Sequence, residues 1–576
     1  MPIKQEYTKQ TTEDVALFVE SLQNHVAVDE RDGVTLDSAS ATDFASTIIN
    51  QSSSATGVVV PDQIKHILED AKNSVKSENK KQQELAQATV LDSITQGINL
   101  YERLHGEQPS ADLIESAIHQ GYGRTSHASE TFKATLDSAD STHHDQMSLQ
   151  PNRAIVAITA AISEGIPIAH YLPADIKSNE ARLLIATHHA GSTFGEYSKN
   201  DLMDGTSSGK AFTSSSRVIK LALDAGKYGG KFTVKMTDAE TCDPNAESMP
   251  LMRGRTIIYV NGFKAAMETS ATGTATESNI SGEVKLNVSG TQTTFVVTGW
   301  IKPKTGEIEI SPNNAFPANT TVHAEAFIDF EEKPSLVPLI NTSAESFSMF
   351  ASPWKVRTEQ TVDTFTQMSN EMGINPAQES MLAVRQQQAN ERHYKVIQMA
   401  LRLGANNSET FDMKWGEQGL AKSRADIWGE FGSVLGVVGQ TMAERNMEYG
   451  PTHLYVTKNI KAQLEGLPRS LFTPSGVSER PGIYRVGKFM GKQVYYAPRF
   501  LKDINATSSQ ILVVGRANRV AHNPFVLGDA VAPTIAPISQ KDYKRGSEFY
   551  ARNFTEVNPY QPFASSCAVI DVINQN

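Results

Sequence analysis

A chain of 576 residues is too long for one hydrophobic core, and about four domain-sized units are expected from length alone. Its 39% hydrophobic and 20% charged residues are ordinary for a globular protein, and the net charge of −11 argues against a surface built to grip nucleic-acid phosphates. Cys242 and Cys567 are the two cysteines, with no CxxC or Cys/His metal spacing, which argues against a disulfide framework or a zinc site and suits a reducing cytosol. The first ten residues, MPIKQEYTKQ, lack the apolar run of a signal peptide. AIVAITAAISEGIPIAHYL is interrupted by Ser163, Glu164, Gly165 and Pro167, short of the ~20 continuous apolar residues of a membrane span. A soluble, cytosolic product is expected.

Residues 1–150 are polar, rich in Ser, Thr, Gln and His, and helical in pattern, which reads as an appendage more than a core. DQIKHILEDAKNSVKSENKKQQELAQATVLDSITQGINLYERL predicts one or two helices, with Ile64, Ile67, Leu68, Val75, Leu85, Val90, Leu91, Ile94 and Leu100 on one side. From 151 the apolar content rises, and Gly and Ser then gather in DLMDGTSSGKAFTSSS and LDAGKYGGKF, the composition of a projecting loop or hairpin. An all-β block follows over about 253 to 335, with RTIIYV, GEVKLNVSG, TTFVVTGWI, GEIEIS and TVHAEAFIDF as strands. Asn261-Gly262, Ser289-Gly290 and Thr305-Gly306 fall between those runs, where hairpin turns need a positive φ.

PAQESMLAVRQQQANERHYKVIQMALRLG places Leu382, Ala389, Val396 and Leu403 seven apart, with Ile397 and Leu401 alongside, and predicts one helix of about eight turns from Pro376 to a stop at Gly404. SRADIWGEFGSVLGVVGQTMAERNMEYG sets Ile427, Phe431, Val434, Val438 and Met442 on a second helical stripe. Gly429, Gly432, Gly436 and Gly439 cost that helix roughly 1 kcal/mol each against alanine, and close helix packing is the expected compensation. After Gly450 the pattern is α+β: a strand THLYVT, a helix KNIKAQLEGL, a hairpin GIYRVGKFMGKQVYYAP, a strand QILVVGR, and FYARNFTEVNPYQPFASSCAVIDV, whose last residues read as a buried strand.

Chemical motifs fail on context. Gly205-Thr206-Ser207-Ser208-Gly209 satisfies GxSxG, yet GEYSKNDLMD before it is not the buried strand a nucleophile elbow needs. As a phosphate loop the same stretch is one residue short before Gly209-Lys210, and Ala211 stands where Ser or Thr would bind magnesium. His143-His144 and His188-His189 lack the HExxH arrangement, and adjacent residues on a helix point about 100° apart. Glu444-Arg445 and NERH at 390–393 read as solvated helix faces. No cofactor, no metal and no catalytic residue is assigned.

The ordered segments over 345–576 resemble the major capsid protein of tailed bacteriophages, the Hong Kong 97-type fold, particularly its enlarged relatives in large phages. FASPWKVRTEQTVDTFTQMSNEMGINP with the 376–403 helix looks like the peripheral domain and its spine helix. THLYVTKNIKAQLEGLP, RPGIYRVGKFMGKQVYYAPRF and ILVVGRANRVAHNPFVLGDAVAPT look like the axial domain, and the stretch from Phe549 like a returning strand. The resemblance implies an α+β fold divided into an N-terminal arm or scaffold-like region (1–150), the start of the peripheral domain with an extended loop (151–252), an inserted β-domain (253–345), the peripheral domain with its spine helix (346–419), the axial domain (420–540) and a returning peripheral-domain strand (541–576).

It also implies a non-enzymatic subunit that assembles as hexamers and pentamers into an icosahedral head around double-stranded DNA. Portal, scaffolding and decoration proteins would be its partners, and its locations the virion and, during assembly, the host cytoplasm. An acidic wall suits such a container, because a basic one would hold the phosphate backbone. Arg552, Phe554, Glu556 and Tyr560 are the candidate subunit-interface residues, with Phe549, Tyr550, Phe554 and Tyr560 expected to pack beside the final strand. Some relatives cross-link lysine to asparagine, and Lys210, Lys227 and Lys231 lie in the expected loop without being assigned a bond. Ile67-Leu68-Glu69 and Leu113-Ile114-Glu115 fit the loose apolar-x-Glu pattern of a prohead protease. The competing functions are a serine hydrolase using Ser207 and another phage structural protein, a tail sheath or an adhesin.

Overall fold

The computed structural model describes residues 68, 80–122, 161–162, 164–172, 179–269, 274, 276–288, 290–371, 376–419, 421–504, 507–541 and 544–575. Two compact units divide the chain: Ile185–Glu345 forms one, and Met1–Leu184 with Ser346–Asn576 forms the other. The first unit interrupts the second in sequence.

In the larger unit, Lys80–His105 forms helix α1 and Ala111–Tyr122 forms α2. Leu91, Ile94, Ile98 and Tyr101 are buried at helical spacing, and with Leu113, Ile114 and Ala117 of α2 they enter the same core as Val396, Ile397 and Ala400. Leu100, expected on the inner side, is 40% exposed. A 3.6-residue period starting from Leu91 and Ile94 reaches positions 98 and 101 and misses 100. Helices α1 and α2 are therefore part of the core, not an appendage. Ile64, Ile67, Val75 and His143-His144 lie outside the described residues.

Helix α3, Pro376–Gly404, runs for the 29 residues its sequence predicts. Its C-terminal half buries Val396, Ile397 and Ala400, while Ala389 and Leu403 are half-buried. Gly404 does more than stop the helix: a Cβ there would meet Val569 Cγ2 at 2.9 Å and the Ala568 carbonyl carbon at 3.0 Å. The missing side chain lets the end of α3 lie directly on strand Cys567–Ile573.

That strand belongs to an eight-stranded sheet. The order is Ser408–Asp412, Cys567–Ile573, Ser508–Val514, His453–Val456, Lys492–Tyr496, Tyr484–Phe489 and Phe472–Pro474, with Asp503–Ile504 pairing onto Ser508–Ser509. Cys567–Ile573 runs parallel to Ser408–Asp412 and antiparallel to Ser508–Val514. Its residues split by parity. Cys567 and Val569 join the core of α1 and α3, whereas Ala568, Ile570 and Val572 join a second core with Ile427, Phe431 and Met442 of helix α4, Arg424–Asn446. Covering on both faces is why CAVIDV reads as a nearly unbroken apolar run.

Helix α4 starts on a capping box in which Ser423 accepts from the Asp426 N–H and the Asp426 carboxylate accepts from the Ser423 N–H. Leu435 is buried beside the predicted stripe, and Val434 is only half-buried. The expected close packing holds at two of the four glycines: Gly432 faces Met490 and Gly439 faces Pro451, while Gly429 and Gly436 face open space.

The long hairpin Phe525–Lys541 and Lys544–Val557 forms a separate four-stranded sheet with His170–Tyr171 on one edge and Ser352–Thr361 on the other. The sequence reading gives 525–540 to the axial domain and packs Phe549 and Tyr550 beside the final strand. Pairing decides otherwise: ten consecutive residues, Lys544 to Asn553, are matched by Ser352–Thr361, and the Phe549 ring meets Trp354 edge-on at 6.2 Å.

The smaller unit is a nine-stranded sheet around one core, in the order Ser216–Lys220, Val322–Phe327, Ile257–Val260, Phe263–Thr269, Ser278–Val288, Thr291–Lys302, Glu307–Pro312, Lys227–Lys231 and Ala222–Asp224. Asn261 and Gly262, with φ of 49° and 80°, make the tight turn predicted between two of its strands. The 190–250 segment, expected to be an extended loop or projecting hairpin, supplies three of these strands, of which Ala222–Asp224 and Lys227–Lys231 do form a hairpin, and it buries Phe194, Phe212, Phe232 and Met249 in the core. Large apolar residues scattered among the glycines outweigh the loop-like composition, so the β unit begins near 185, not 253. Glu180–Ala190 and Ile340–Phe350 pair as a two-stranded ribbon, and both unit boundaries fall within it.

Deleting residues 566–576 removes a strand held between two others and is expected to leave an insoluble, unfolded chain. Ile570→Ala is expected to cost about 2–5 kcal/mol in urea unfolding of the purified chain. A truncated chain that stays soluble with native far-UV and near-UV circular dichroism would refute the dependence.

Candidate functional site

Ser207 ends a three-residue turn, Gly205–Ser207. Residues 191–204 before it contain only isolated bridges, turns and bends, and 208–215 after it form no helix. The strand-to-helix elbow that would present a nucleophile is absent from this place. The Tyr197 hydroxyl donates to the Ser207 carbonyl, which ties the loop down by its backbone. His188 Nδ1 lies 3.0 Å from Asp204 Oδ1, and His189 Nε2 lies 3.1 Å from Thr187 Oγ1, so the adjacent histidines serve separate local contacts. Among the described residues no group of three His, Cys, Asp or Glu is placed to hold a metal ion.

The loop lysines are also engaged. Lys227 donates to Glu309 at 2.8 Å across paired strands, and the Lys210 ammonium sits 5.8 Å above the Tyr197 ring. Lys231 lies opposite Glu307 in the strand pairing. Leu113 and Ile114 are buried in α2, so a protease could cut at this apolar-x-Glu sequence only after α2 had left the core. Ile67 and Glu69 of the other such sequence lie outside the described residues.

Of the four candidate interface residues, Phe554 is 3% exposed. Its ring closes over Gly528, where a Cβ would meet Phe554 Cε1 at 2.3 Å, so it is a core residue and not a surface one. Arg552, Glu556 and Tyr560 are half-buried. Among the described residues, Arg552 Nε finds no hydrogen-bond partner. Burial pushes the Glu556 carboxyl above its usual range, with the Lys395 ammonium of α3 opposing. The Tyr560 ring packs on Phe563 at 5.1 Å.

The strongest polar chemistry lies inside the larger unit, where the sequence reading places none. Asp112 of α2 accepts from the Tyr171 N–H at 2.7 Å and faces His170 Nδ1 at 3.0 Å, within ion-pair range but off the line of a hydrogen bond. Burial pushes the Asp112 carboxyl upward. The His170 ring and further donors outweigh it and hold the group below the usual carboxylate range. Arg392 of α3 pairs with buried Asp529 at 3.1 Å. Asn523 donates to the carbonyls of Ile168 and Phe525, and Asn558 to those of Ala521 and Asn523, so two amides stitch three loops. Short polar residues carry no sequence mark separating such stitches from solvated loop positions.

No family model matches the chain, and no curated protein does. The solved structures it is similar to include phage capsids. The icosahedrally averaged capsid of jumbo bacteriophage PhiKZ aligns at 9% identity over 70% of this chain and 91% of that one, with a TM-score of 0.37. The capsid of Myoviridae phage XM1 aligns at 9% identity over 53% and 88%, with a TM-score of 0.25. The holo-SrpI encapsulin complex from Synechococcus elongatus aligns at 10% identity over 41% and 79%, with a TM-score of 0.27.

Asp112→Asn is expected to lower stability by about 3–5 kcal/mol at pH 7, the range for breaking a buried pair. A depressed carboxylate contributes fully above its ordinary value and loses that contribution as pH falls through its lower folded value. The stability lost by the substitution, read from urea unfolding, should therefore shrink as pH falls below the ordinary carboxylate value near 4. A variant as stable as the native chain would remove Asp112 from this role.

Proposed function

We propose that the chain is the structural subunit of an icosahedral phage head of the Hong Kong 97 type, enclosing double-stranded DNA. The observation that carries this reading is helix α3. A 29-residue helix lies along strand Cys567–Ile573 by way of Gly404, in the segment order that resembles the capsid family from 345 to 576. In this reading α3 is the spine helix, and the Phe525–Val557 hairpin with Ser352–Thr361 belongs to the peripheral domain. The sheet containing His453–Val456 and covered by α4 is the axial domain. The ribbon Glu180–Ala190 and Ile340–Phe350 is the extended loop, and Ile185–Glu345 is the inserted β-domain.

A shell subunit needs reusable contacts along its length, in heterologous interfaces that close into rings. Leu184, Ile340 and Phe350 are exposed apolar side chains on the ribbon, a suitable distribution for such contacts. Assembly as hexamers and pentamers in the virion, with portal, scaffolding and decoration proteins as partners, belongs to the same proposal. Arg552, Glu556 and Tyr560 are proposed as neighbour contacts, and buried Phe554 is withdrawn from that set.

Electron microscopy of the overexpressed chain should show shells, tubes or capsomer rings, and in purified particles the chain should be the most abundant protein on a gel. A chain that stays monomeric at high concentration and is missing from virions would overturn the proposal. Scarcity in virions would favour an adhesin instead.

A further inference from the structure

Three histidines far apart in sequence meet under the C-terminal end of α1. His105 Nδ1 lies 2.9 Å from the Tyr495 hydroxyl, His393 Nε2 of α3 lies 2.9 Å from the Tyr455 hydroxyl, and His453 Nε2 lies 3.2 Å from Glu107 Oε1. The Tyr455 and Tyr495 rings stack at 5.5 Å, and the His105 and His453 rings flank Tyr495 at 5.8 and 5.9 Å. The cluster is where α1, α3 and two strands of the eight-stranded sheet converge, and α1 is attached there through polar rings as well as through Ile94, Ile98 and Tyr101.

We propose that this cluster is an acid-sensitive latch: adding a proton to His105 drives the end of α1 and the turn after it off the sheet, while the sheet itself stays folded.

The surroundings of His105 give it little to gain from a positive charge. From α1 it meets the Tyr101 ring at 4.4 Å, a group held neutral by burial. The sheet offers the neutral hydroxyls of Tyr455 and Tyr495, and α3 offers His393, a second ring that burial holds uncharged. The charged groups nearby are mostly cations. Arg485 lies over Gly106, where a Cβ would sit 2.1 Å from its guanidinium carbon, and Arg480 and His453 oppose a proton on His105. Glu107 is the nearby anion, and it already serves His453 and, at 3.7 Å, Arg516.

Burial, then the neighbouring His393, push the His105 imidazole down to about 3, and burial, then His453, push His393 down to about 3. The sign follows from linkage. Between the ordinary histidine value near 6.5 and that lowered value, the released state binds a proton that the seated state does not. Falling pH therefore favours release, and the latch is fully closed only above about pH 6.5. For His105 alone, going from pH 7 to pH 5 raises the ratio of released to seated α1 about 25-fold.

Hydrogen exchange by mass spectrometry on the full chain at pH 7 and pH 5, corrected for intrinsic rates, tests this latch without reference to any shell. Protection at residues 91–106 should fall about 25-fold more than protection at His453–Val456 and Cys567–Ile573. His105→Gln, which keeps a hydrogen-bonding group beside Tyr495, should abolish most of that difference, and His188→Gln at an exposed site should leave it intact. Should His105→Gln fail to fold, the native chain alone still decides through glutamyl endoproteinase. Cleavage after Glu102 and Glu107 should accelerate between pH 7 and pH 5 relative to a denatured control. Equal loss of protection in helix and strands, or no acceleration of cleavage, would overturn the proposal.

Discussion

Strand Cys567–Ile573 is the piece on which the larger unit closes. It is held by backbone hydrogen bonds on both sides, and its alternate residues belong to two cores, one shared with α1 and α3 and the other with α4. A strand with both edges paired and both faces covered cannot be replaced by solvent or by a loop, because its polar backbone would be left buried without partners. Gly404 is a local consequence of the same constraint: the helix approaches the strand too closely for any side chain at that position.

The smaller unit meets a different requirement. Its core draws on residues from Ala190 to Leu336 and is built mainly by one nine-stranded sheet, so it has the burial that lets a contiguous stretch of chain hold together by itself. The connection is a ribbon of two strands, which brings the chain in and out side by side.

What could be read from sequence follows from the range of the physics involved. Helix α3, the stripe of α4, the hairpin turn at Asn261-Gly262 and the buried character of residues 567–572 depend on neighbours in sequence, and the structure has them where periodicity and turn chemistry predict. The 190–250 segment failed as a projecting loop, though its Ala222–Asp224 and Lys227–Lys231 strands do form a hairpin, because the burial of Phe194, Phe212 and Phe232 depends on distant strands. The hairpin after Phe525 failed for a related reason, since only the pairing of Lys544–Asn553 with Ser352–Thr361 decides which sheet owns it. Phe554 reads both as a packing residue and as an interface candidate, and the close approach of Gly528 to its ring decides for packing. The interior polar groups are hidden in the sequence: Arg392 and His393 of NERH read as a solvated helix face although they meet buried Asp529 and Tyr455, and His105, His393 and His453, separated by 288 and 60 residues, carry no shared motif.

The two faces of the eight-stranded sheet therefore do different physical work. Toward α4 the contacts are almost wholly apolar, with the Trp428 ring in edge contact with Phe431 and Phe489, and apolar burial of this kind responds weakly to pH. Toward α1 the sheet presents Tyr455 and Tyr495, which meet His393 of α3 and His105 of α1, rings that burial holds neutral. A change in proton concentration can loosen the second face without touching the first, because only there does releasing the partner change the number of bound protons. The sheet can then act as a fixed platform with one permanent cover and one conditional cover, a division set by which side chains alternate along His453–Val456 and Lys492–Tyr496.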